Sequence, residues 1–320
     1  MSRIHDALKR AEQERAASTG THVEPAYAQP EVQNESMPAR QVLADSRITS
    51  MSTVSPGVSG LIYEALLARC AQTEWNPDPR TMLFFGDSDR RAGAEEFRSL
   101  RSRLYQIREK MPLKRLLITS ALPKDGKSFT AANLAQVMVR QHGRRALLID
   151  CDLRKPGLHR PLGAAQSPGL AEYLLGECDE FAALQRGPME NLFFMAAGRS
   201  VPSAAELLAN GRLQLLLQRV EHMFDWIILD TSPVVLVSDA TLVAGVSDGV
   251  ILVVRSGATP ADLARRAREE FPDKMLLGVV LNGASPEHMA QSKYYYGYGY
   301  GYGYGYGYGH RPDEDKNSQA

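Results

Sequence analysis

Short apolar runs alternate with helix-like stretches over most of the chain beyond residue 114. The apolar runs are RLLITS, ALLID, NLFFMAA, WIILD, VILVV and LLGVVLN. Helical spacing is found between them, at 128–142, 169–176, 203–222, 239–246 and 260–270. Strands that are apolar throughout are covered on both faces, and strands that alternate with helices pair in parallel. The pattern therefore predicts an α/β, doubly wound and mostly parallel sheet, with sites at the carboxyl ends of its strands.

The first of these strands leads into a glycine-containing loop that is typical of phosphate binding. The sequence ALPKDGKS follows the strand and opens the apolar helix TAANLAQVMVRQ, which is the context that a Walker A loop, or P-loop, requires. Backbone N–H groups of such a loop surround phosphate oxygens, while its lysine neutralises charge between the β- and γ-phosphates. We therefore predict an ATP site. The predicted nucleotide-binding residues are Ala121, Pro123, Lys124, Asp125, Gly126, Lys127, Ser128 and Phe129.

Two further strands end in acidic residues. LLIDCD places Asp150 and Asp152 on the same face, because strand side chains alternate with a period of two, and WIILD ends in Asp230. An aspartate at a strand end often only caps a turn. In a sheet that also carries a phosphate loop, we expect these carboxylates to bind Mg²⁺, together with the Ser128 hydroxyl.

The carboxyl-terminal residues are rich in tyrosine and glycine. Nine of the thirteen tyrosines of the chain lie between residues 294 and 308. Glycine at every second position opposes packing, so the phenolic hydroxyls should face solvent as phosphoryl acceptors. A sticky low-complexity segment without enzymology is the alternative. The predicted acceptors are Tyr294, Tyr295, Tyr296, Tyr298, Tyr300, Tyr302, Tyr304, Tyr306 and Tyr308.

The amino-terminal part differs in composition from the sheet region. Residues 1–17 carry a narrow apolar stripe and predict an amphipathic helix, which either docks on a partner or is a frayed terminus. Residues 18–56 are rich in Pro, Ser, Thr, Gln and Glu, and we predict a largely disordered linker over 18–80, with a short helix near 58–71. We assign 81–290 to the sheet domain and 291–320 to a flexible tail.

Composition excludes several classes of protein. Lys and Arg together number 37, as do Asp and Glu, so no excess of positive charge points to nucleic acid. The three cysteines lack the spacing of metal ligands. No apolar run approaches eighteen residues and no signal-peptide pattern begins the chain, so we expect a cytoplasmic protein.

These motifs together resemble those of the bacterial tyrosine kinases, P-loop autokinases that act with polysaccharide co-polymerases. The matching elements are ALPKDGKS, LLIDCDLR, IILDTSP and the tyrosine-rich end, and the resemblance covers about residues 81–308. Lys124 and Asp125 depart from the family, which usually has glycine and an acidic residue after the loop proline. VPSAAELL is a further departure, because it keeps only part of the family's P-N-P-x-E-L-L motif.

The resemblance implies roles for particular residues. Lys127, Asp150 and Asp152 would be catalytic, and Ser128, Asp150 and Asp230 would hold Mg²⁺. Asp150 would either bind the metal or take the proton from the tyrosine hydroxyl, with Asp152 as the other candidate. Asn282, at the end of the last strand, would read the adenine edge of ATP, unless it is a strand-end amide satisfied by the backbone.

The resemblance also implies partners. Glu95, Arg98 and Arg101 form the E-x-x-R-x-x-R pattern that joins subunits of the family into a ring, although i,i+3 charge pairing on a solvated helix would explain it too. Each subunit would then phosphorylate a neighbour's tail. A membrane polysaccharide co-polymerase adaptor would recruit the protein to the inner face of the membrane and activate it, and a cognate tyrosine phosphatase would reverse the reaction. The setting would be synthesis and export of exopolysaccharide or capsule.

Two other functions use the same phosphate loop. A positioning ATPase of the MinD/ParA kind shares the fold, but its signature lysine stands where this chain has Leu122. A non-catalytic scaffold would use ATP only to set its oligomeric state and would present the tail for binding.

Overall fold

An eight-stranded sheet forms the centre of the computed structural model, which describes residues 56–85, 93–273 and 275–284. The strands are β1 (Ala71–Gln72), β2 (Arg115–Ser120), β3 (Ala146–Asp150), β4 (Leu184–Arg186), β5 (Leu192–Met195), β6 (Trp226–Asp230), β7 (Gly249–Arg255) and β8 (Leu276–Asn282). Their order across the sheet is β1-β4-β5-β3-β6-β2-β7-β8. All neighbouring strands are parallel except β4 and β5. The predicted fold class is confirmed.

Helices cover both faces of this sheet. Within the described residues they are α1 (Pro56–Arg69), α2 (Ala94–Arg108), α3 (Lys127–Val139), α4 (His159–Leu162), α5 (Leu170–Leu175), α6 (Glu180–Ala183), α7 (Ala204–Ala209), α8 (Arg212–Val220), α9 (Asp239–Ala244) and α10 (Ala261–Glu269), with a 3₁₀ turn at Glu221–Met223. One apolar cluster on each face joins helix side chains to alternate strand residues. Leu117 belongs to one cluster and its neighbour Leu116 to the other, as the two-residue period of a strand requires.

Helix α3 runs through the interior and is buried around its whole circumference from Thr130 to Val139. Two polar side chains of α3 bind the backbone of the segment that covers this helix. Asn133 accepts a hydrogen bond from the Leu83 backbone N–H (2.8 Å), and Gln136 accepts one from Phe84 (3.1 Å). The helix that begins at the phosphate loop is therefore fixed along its length, which gives the loop a rigid base.

Residues 56–80 depart from the linker that we expected up to residue 80. The short helix is present as α1, but the residues that follow it pack as well. Leu66 is fully buried in one core cluster, and Trp75 lies in the other against Phe85 and Phe194. Residues Ala71–Gln72 add an edge strand to β4. The prolines of this segment suggested a linker. A few large apolar side chains are nevertheless enough to anchor an extended segment, and composition does not show this packing.

The helix predicted over 203–222 is interrupted. It consists of α7, α8 and the 3₁₀ turn, and the break falls at Asn210 and Gly211. Gly211 has φ of 80°, a left-handed backbone that ends the first helix. The apolar spacing of the two halves is continuous in sequence, so periodicity alone concealed the break.

No helix among the described residues combines the length and apolar character needed to cross a bilayer. Residues 1–55 and 285–320 lie outside the described part of the chain. The predictions of an amphipathic helix at 1–17 and of a tyrosine-bearing tail therefore remain predictions.

Candidate active site

The phosphate loop connects the end of β2 to the start of α3. Gly126 caps the helix with φ of 102°, a conformation that favours glycine. A Cβ atom on Gly126 would lie 1.9 Å from the Asn282 Nδ2 atom, so neither the backbone nor the space admits a side chain there. Ala121 is buried in the core, and Pro123 and Lys124 are exposed. The backbone of this loop is thus the part that is available to phosphate.

Lys127 lies among three carboxylates at the carboxyl end of the sheet. Its Nζ atom is 3.3 Å from Asp152 Oδ2 and 3.9 Å from Asp230 Oδ2, and it donates to the Ser128 hydroxyl at 3.1 Å. Asp150 and Asp230 are paired residues of neighbouring strands β3 and β6. The structure therefore brings together Lys127, Ser128 and all three aspartates that the sequence singled out.

Asp150 organises the loop that follows its own strand. One carboxylate oxygen accepts the backbone N–H of Asp152 (3.0 Å), and the other accepts those of Gly157 (3.3 Å) and Leu158 (3.1 Å). Asp152 accepts the Lys155 N–H (3.1 Å) and faces Lys127 with its second oxygen. The two aspartates of the LLIDCDLR motif thus differ in use, since one shapes the loop and the other pairs with the lysine.

Burial and mutual repulsion shift the charges in this cluster. Burial and the neighbouring charge of Asp230 raise the pKa of Asp150 to about 7. Burial raises the pKa of Asp230 to about 6, although Lys127 and a hydrogen bond from Ser128 oppose it. Burial alone would lower the pKa of Lys127, but Asp230, Asp152 and Asp150 outweigh burial and raise it. Raised carboxylate pKa values mark a site with too little positive charge.

The residues of this cluster fit a magnesium ion. Asp230 Oδ1 is buried and has no hydrogen-bond partner, which is a costly arrangement unless something else binds it. Mg²⁺ prefers oxygen ligands and commonly combines one or two carboxylates with substrate phosphates. Ser128, Asp150 and Asp230 would hold the ion. Among the described residues no group of three or more His, Cys, Asp or Glu side chains forms a cation cage by itself.

Asn282 lies where the sequence placed it, but its amide nitrogen is used inside the protein. It donates to the Asp125 carbonyl oxygen at 2.9 Å. This contact matches the alternative of an amide satisfied by the backbone, and it leaves the carbonyl oxygen and one N–H of the amide for other partners. The Phe129 ring is half-buried and packs edge-on against Phe97, with ring centroids 5.8 Å apart.

The residues predicted for subunit contacts lie on α2 and make contacts within the chain. Arg98 pairs with Glu95 at 3.0 Å, as i,i+3 neighbours on an exposed helix face do. Arg101 donates to the Val137 carbonyl oxygen near the end of α3 (2.8 Å).

Sequence reasoning missed several side chains that hold the site together. Arg154 makes a two-pronged ion pair with the buried Asp239, at 2.7 and 3.0 Å, and so ties the LLIDCDLR loop to α9. Thr259 donates to Asp125 from the segment after β7 (2.7 Å). Asp239 and Thr259 are more than eighty residues from their partners and follow no motif. Only the folded sheet, which brings the ends of parallel strands to one edge, shows these contacts.

Known proteins are similar to this chain in sequence and in fold. No family model matches the chain. The tyrosine-protein kinase YwqD of Bacillus subtilis is 35% identical over 204 residues, which are 63% of this chain and 86% of YwqD. The succinoglycan biosynthesis transport protein ExoP of Rhizobium meliloti is 34% identical over 211 residues, 64% of this chain but 27% of ExoP.

A solved structure agrees with these sequence relatives. The kinase domain of the Escherichia coli tyrosine kinase ETK aligns with a TM-score of 0.56 and 28% identity, covering 68% of this chain and 83% of that domain. The extent of the match to YwqD, together with the P-loop lysine and its three aspartates, settles the family: the chain belongs to the bacterial tyrosine-protein kinases.

Proposed function

We propose that the chain is an ATP-dependent protein-tyrosine autokinase that transfers the γ-phosphoryl group to tyrosines of its own carboxyl-terminal cluster, Tyr294–Tyr308. The observation that carries this proposal is the buried Lys127, held at the end of the phosphate loop among Asp150, Asp152 and Asp230. A phenol bears one proton at neutral pH and needs only positioning, charge stabilisation and a nearby acceptor to receive a phosphoryl group.

Each part of the site then has a task. The loop backbone and Lys127 bind the phosphates and stabilise the charge that moves during transfer. Magnesium, when bound, supplies further positive charge at the phosphate oxygens. Asp150 would serve either as a magnesium ligand or as the acceptor of the phenolic proton, and Asp152, whose second oxygen faces Lys127, is the other candidate for that proton.

We propose that transfer occurs between subunits of a ring-like homo-oligomer joined through Glu95, Arg98 and Arg101. The relative ExoP, named for succinoglycan transport, supports a role in exopolysaccharide or capsule synthesis and export. A membrane polysaccharide co-polymerase adaptor would activate the kinase at the cytoplasmic side of the membrane, and a tyrosine phosphatase would reset it. These are the partners that we would test first.

Autophosphorylation with separated donor and acceptor tests the proposal. The donor is a chain that ends at residue 290 and so lacks the tyrosine cluster; the acceptor is the full-length Lys127→Met variant. Mixed with ATP and Mg²⁺ and the adaptor's cytoplasmic segment, the pair should gain phosphotyrosine on the tail, whereas each alone should not. Full-length Lys110→Met, which changes an exposed lysine far from the loop, is the matched control and should label itself normally. ATP hydrolysis without any phosphotyrosine would instead identify a switch ATPase.

A further inference from the structure

Four side chains tie the phosphate loop to the ends of β7 and β8, and we call them the loop brace: Asp125, Arg255, Thr259 and Asn282. Arg255 Nη1 donates to the Lys124 carbonyl oxygen (3.1 Å), and Asn282 Nδ2 donates to that of Asp125 (2.9 Å). Thr259 donates to Asp125 Oδ1 (2.7 Å). All three contacts of the brace end on the two residues before Gly126.

Asp125 is the inner member of the brace. Only 3% of its surface is exposed, so its charge is withdrawn from water. One carboxylate oxygen accepts the Thr259 hydroxyl and the other accepts the Leu122 backbone N–H (2.9 Å), which closes the loop on itself. A carboxylate used in this way supports the loop and does not face a phosphate, whose negative charge would repel it.

Thr259 connects this carboxylate to the sheet. Its hydroxyl accepts the backbone N–H of Arg255 (3.1 Å) while donating to Asp125, so both of its hydrogen-bonding capacities are used. The Arg255 backbone belongs to the end of β7, beside the strand that leads into the loop. The hydroxyl therefore fixes the distance between the sheet edge and the loop.

Lys124 explains why a brace is needed. Its φ is 70°, in the left-handed region, and Asn191 is the other non-glycine residue with positive φ in the described part of the chain. Such a backbone is strained for a lysine and persists only where the surroundings determine it. The hydrogen bond from Arg255 ends on the Lys124 carbonyl, which belongs to one of the two peptide groups flanking the strained residue, and the bond from Asn282 holds the next peptide group along the chain.

We propose that Thr259 and Arg255 are positioning residues that hold the phosphate loop in its binding conformation against the backbone strain at Lys124, acting through Asp125. This inference rests on the nucleotide site of the proposed function, but not on transfer to tyrosine. It assigns to β7 and the segment after it a part in ATP affinity that no motif in the sequence indicates.

Nucleotide titration of the full chain tests the brace. The probe is the magnesium complex of the fluorescent nucleotide N-methylanthraniloyl ADP, and its dissociation constant from the protein is measured for two variants. Thr259→Val keeps the shape of the side chain but removes the hydroxyl, and Thr259→Ser keeps the hydroxyl. Val should raise the constant about tenfold, the value for a hydrogen bond to a charged group, while Ser stays near the parent. Arg255→Met, a change at an exposed side chain, should raise it about threefold. In kinase assays KM for ATP should rise more than kcat falls.

The strain is tested by a double-mutant cycle with Lys124→Gly, because glycine adopts this backbone freely. In the glycine background the effect of Thr259→Val should shrink from about tenfold to below about threefold. Unchanged affinity in Thr259→Val and Arg255→Met would overturn the proposal, and so would an equal effect of Thr259→Val in both backgrounds. A parent chain that binds the nucleotide as expected but forms no phosphotyrosine would refute the kinase proposal and leave the brace intact.

Discussion

The two edges of the sheet use the same residue type in opposite ways. At the carboxyl edge, Asp150 and Asp230 end β3 and β6, are fully buried, and have pKa values raised to about 7 and about 6. At the amino edge, Asp225 and Asp248 stand immediately before β6 and β7 and are surrounded by donors. Both pairs sit at strand ends, yet Asp150 and Asp230 share Lys127 with Asp152, whereas Asp225 and Asp248 each pair with an arginine of its own.

Asp248 shows how complete the pairing is at the amino edge. It accepts the backbone N–H groups of Lys114 and Arg115, at 2.9 and 2.7 Å, and the Arg115 guanidinium at 2.8 and 3.2 Å. Burial by itself raises the pKa of Asp248, but the hydrogen bonds from Arg115 and Lys114 outweigh burial and hold the pKa below its usual value. This carboxylate therefore joins the start of β7 to the start of the neighbouring strand β2.

The difference separates a binding site from a structural joint. A carboxylate that is saturated with donors stabilises the fold and has nothing left to offer a ligand. The carboxyl edge instead keeps three buried carboxylates for one lysine, and Asp230 Oδ1 lacks any donor. Natural proteins accept such local instability where a ligand will relieve it. Removing a carboxylate should therefore have opposite consequences at the two edges.

The largest effect is expected at the carboxyl edge, on catalysis. Asp230→Asn keeps the shape of the side chain but removes the charge that would hold Mg²⁺, and should lower the rate of autophosphorylation about a thousandfold. The urea midpoint of the metal-free variant at pH 8 should equal or exceed that of the parent, because a repulsive charge has been removed. A clear loss of stability would break the comparison, since Asp230 would then be a structural joint as well.

The second effect is expected at the amino edge, on stability. Asp248→Ala leaves a guanidinium and two backbone N–H groups without their partner, and should lower the free energy of unfolding by about 3 kcal/mol. Urea denaturation measures this change. The phosphorylation rate per folded molecule, assayed well below the melting temperature, should stay within about twofold of the parent. A rate that falls like that of Asp230→Asn would show that the amino edge also serves the site.

The smallest effect, and the sharpest comparison, is the dependence of stability on pH without metal. The pKa values of Asp150 and Asp230 are higher in the folded state than in the unfolded chain, so their contribution is present at acid pH and lost as pH rises towards about 7. The pKa of Asp248 is lowered on folding, so its contribution is present above the unfolded pKa and lost as pH falls.

Unfolding free energies of the parent and Asp230→Asn at pH 5 and pH 8 measure the first of these contributions. The advantage of the Asn variant should grow by about 1 to 2 kcal/mol between the two values. Asp248→Asn is the matched control, and its deficit should instead shrink below pH 4. Parallel pH profiles for the two variants would contradict the contrast between the edges.

The residues that could be predicted from the sequence are those that belong to short motifs. The strand-loop-helix around Gly126 and the strand-end aspartates Asp150 and Asp230 follow from local pattern, because neighbouring residues place these groups. All six predicted strands are present, with ends that shift by no more than two residues. The short strand β4, three residues long and antiparallel to β5, has no periodicity to detect.

Contacts between distant segments could not be predicted from the sequence. The order of the strands places β2 between β6 and β7, and this arrangement alone brings Thr259 to Asp125 and Asn282 to Gly126. The burial of Trp75 beside Phe194 likewise depends on where β5 lies in the sheet. Such contacts arise from topology, which the alternation of strands and helices restricts but does not determine.

The facing of Asp150 and Asp230 across β3 and β6 has a consequence for the medium around the protein. Burial raises the pKa values of both carboxyl groups, so they keep protons to higher pH than an ordinary aspartate does, and a divalent cation binds only the ionised form. A magnesium ion held between them would displace those protons into the solvent, and its affinity would strengthen as the surroundings become more alkaline. The occupancy of this pocket would then follow the acidity of the compartment in which the chain works.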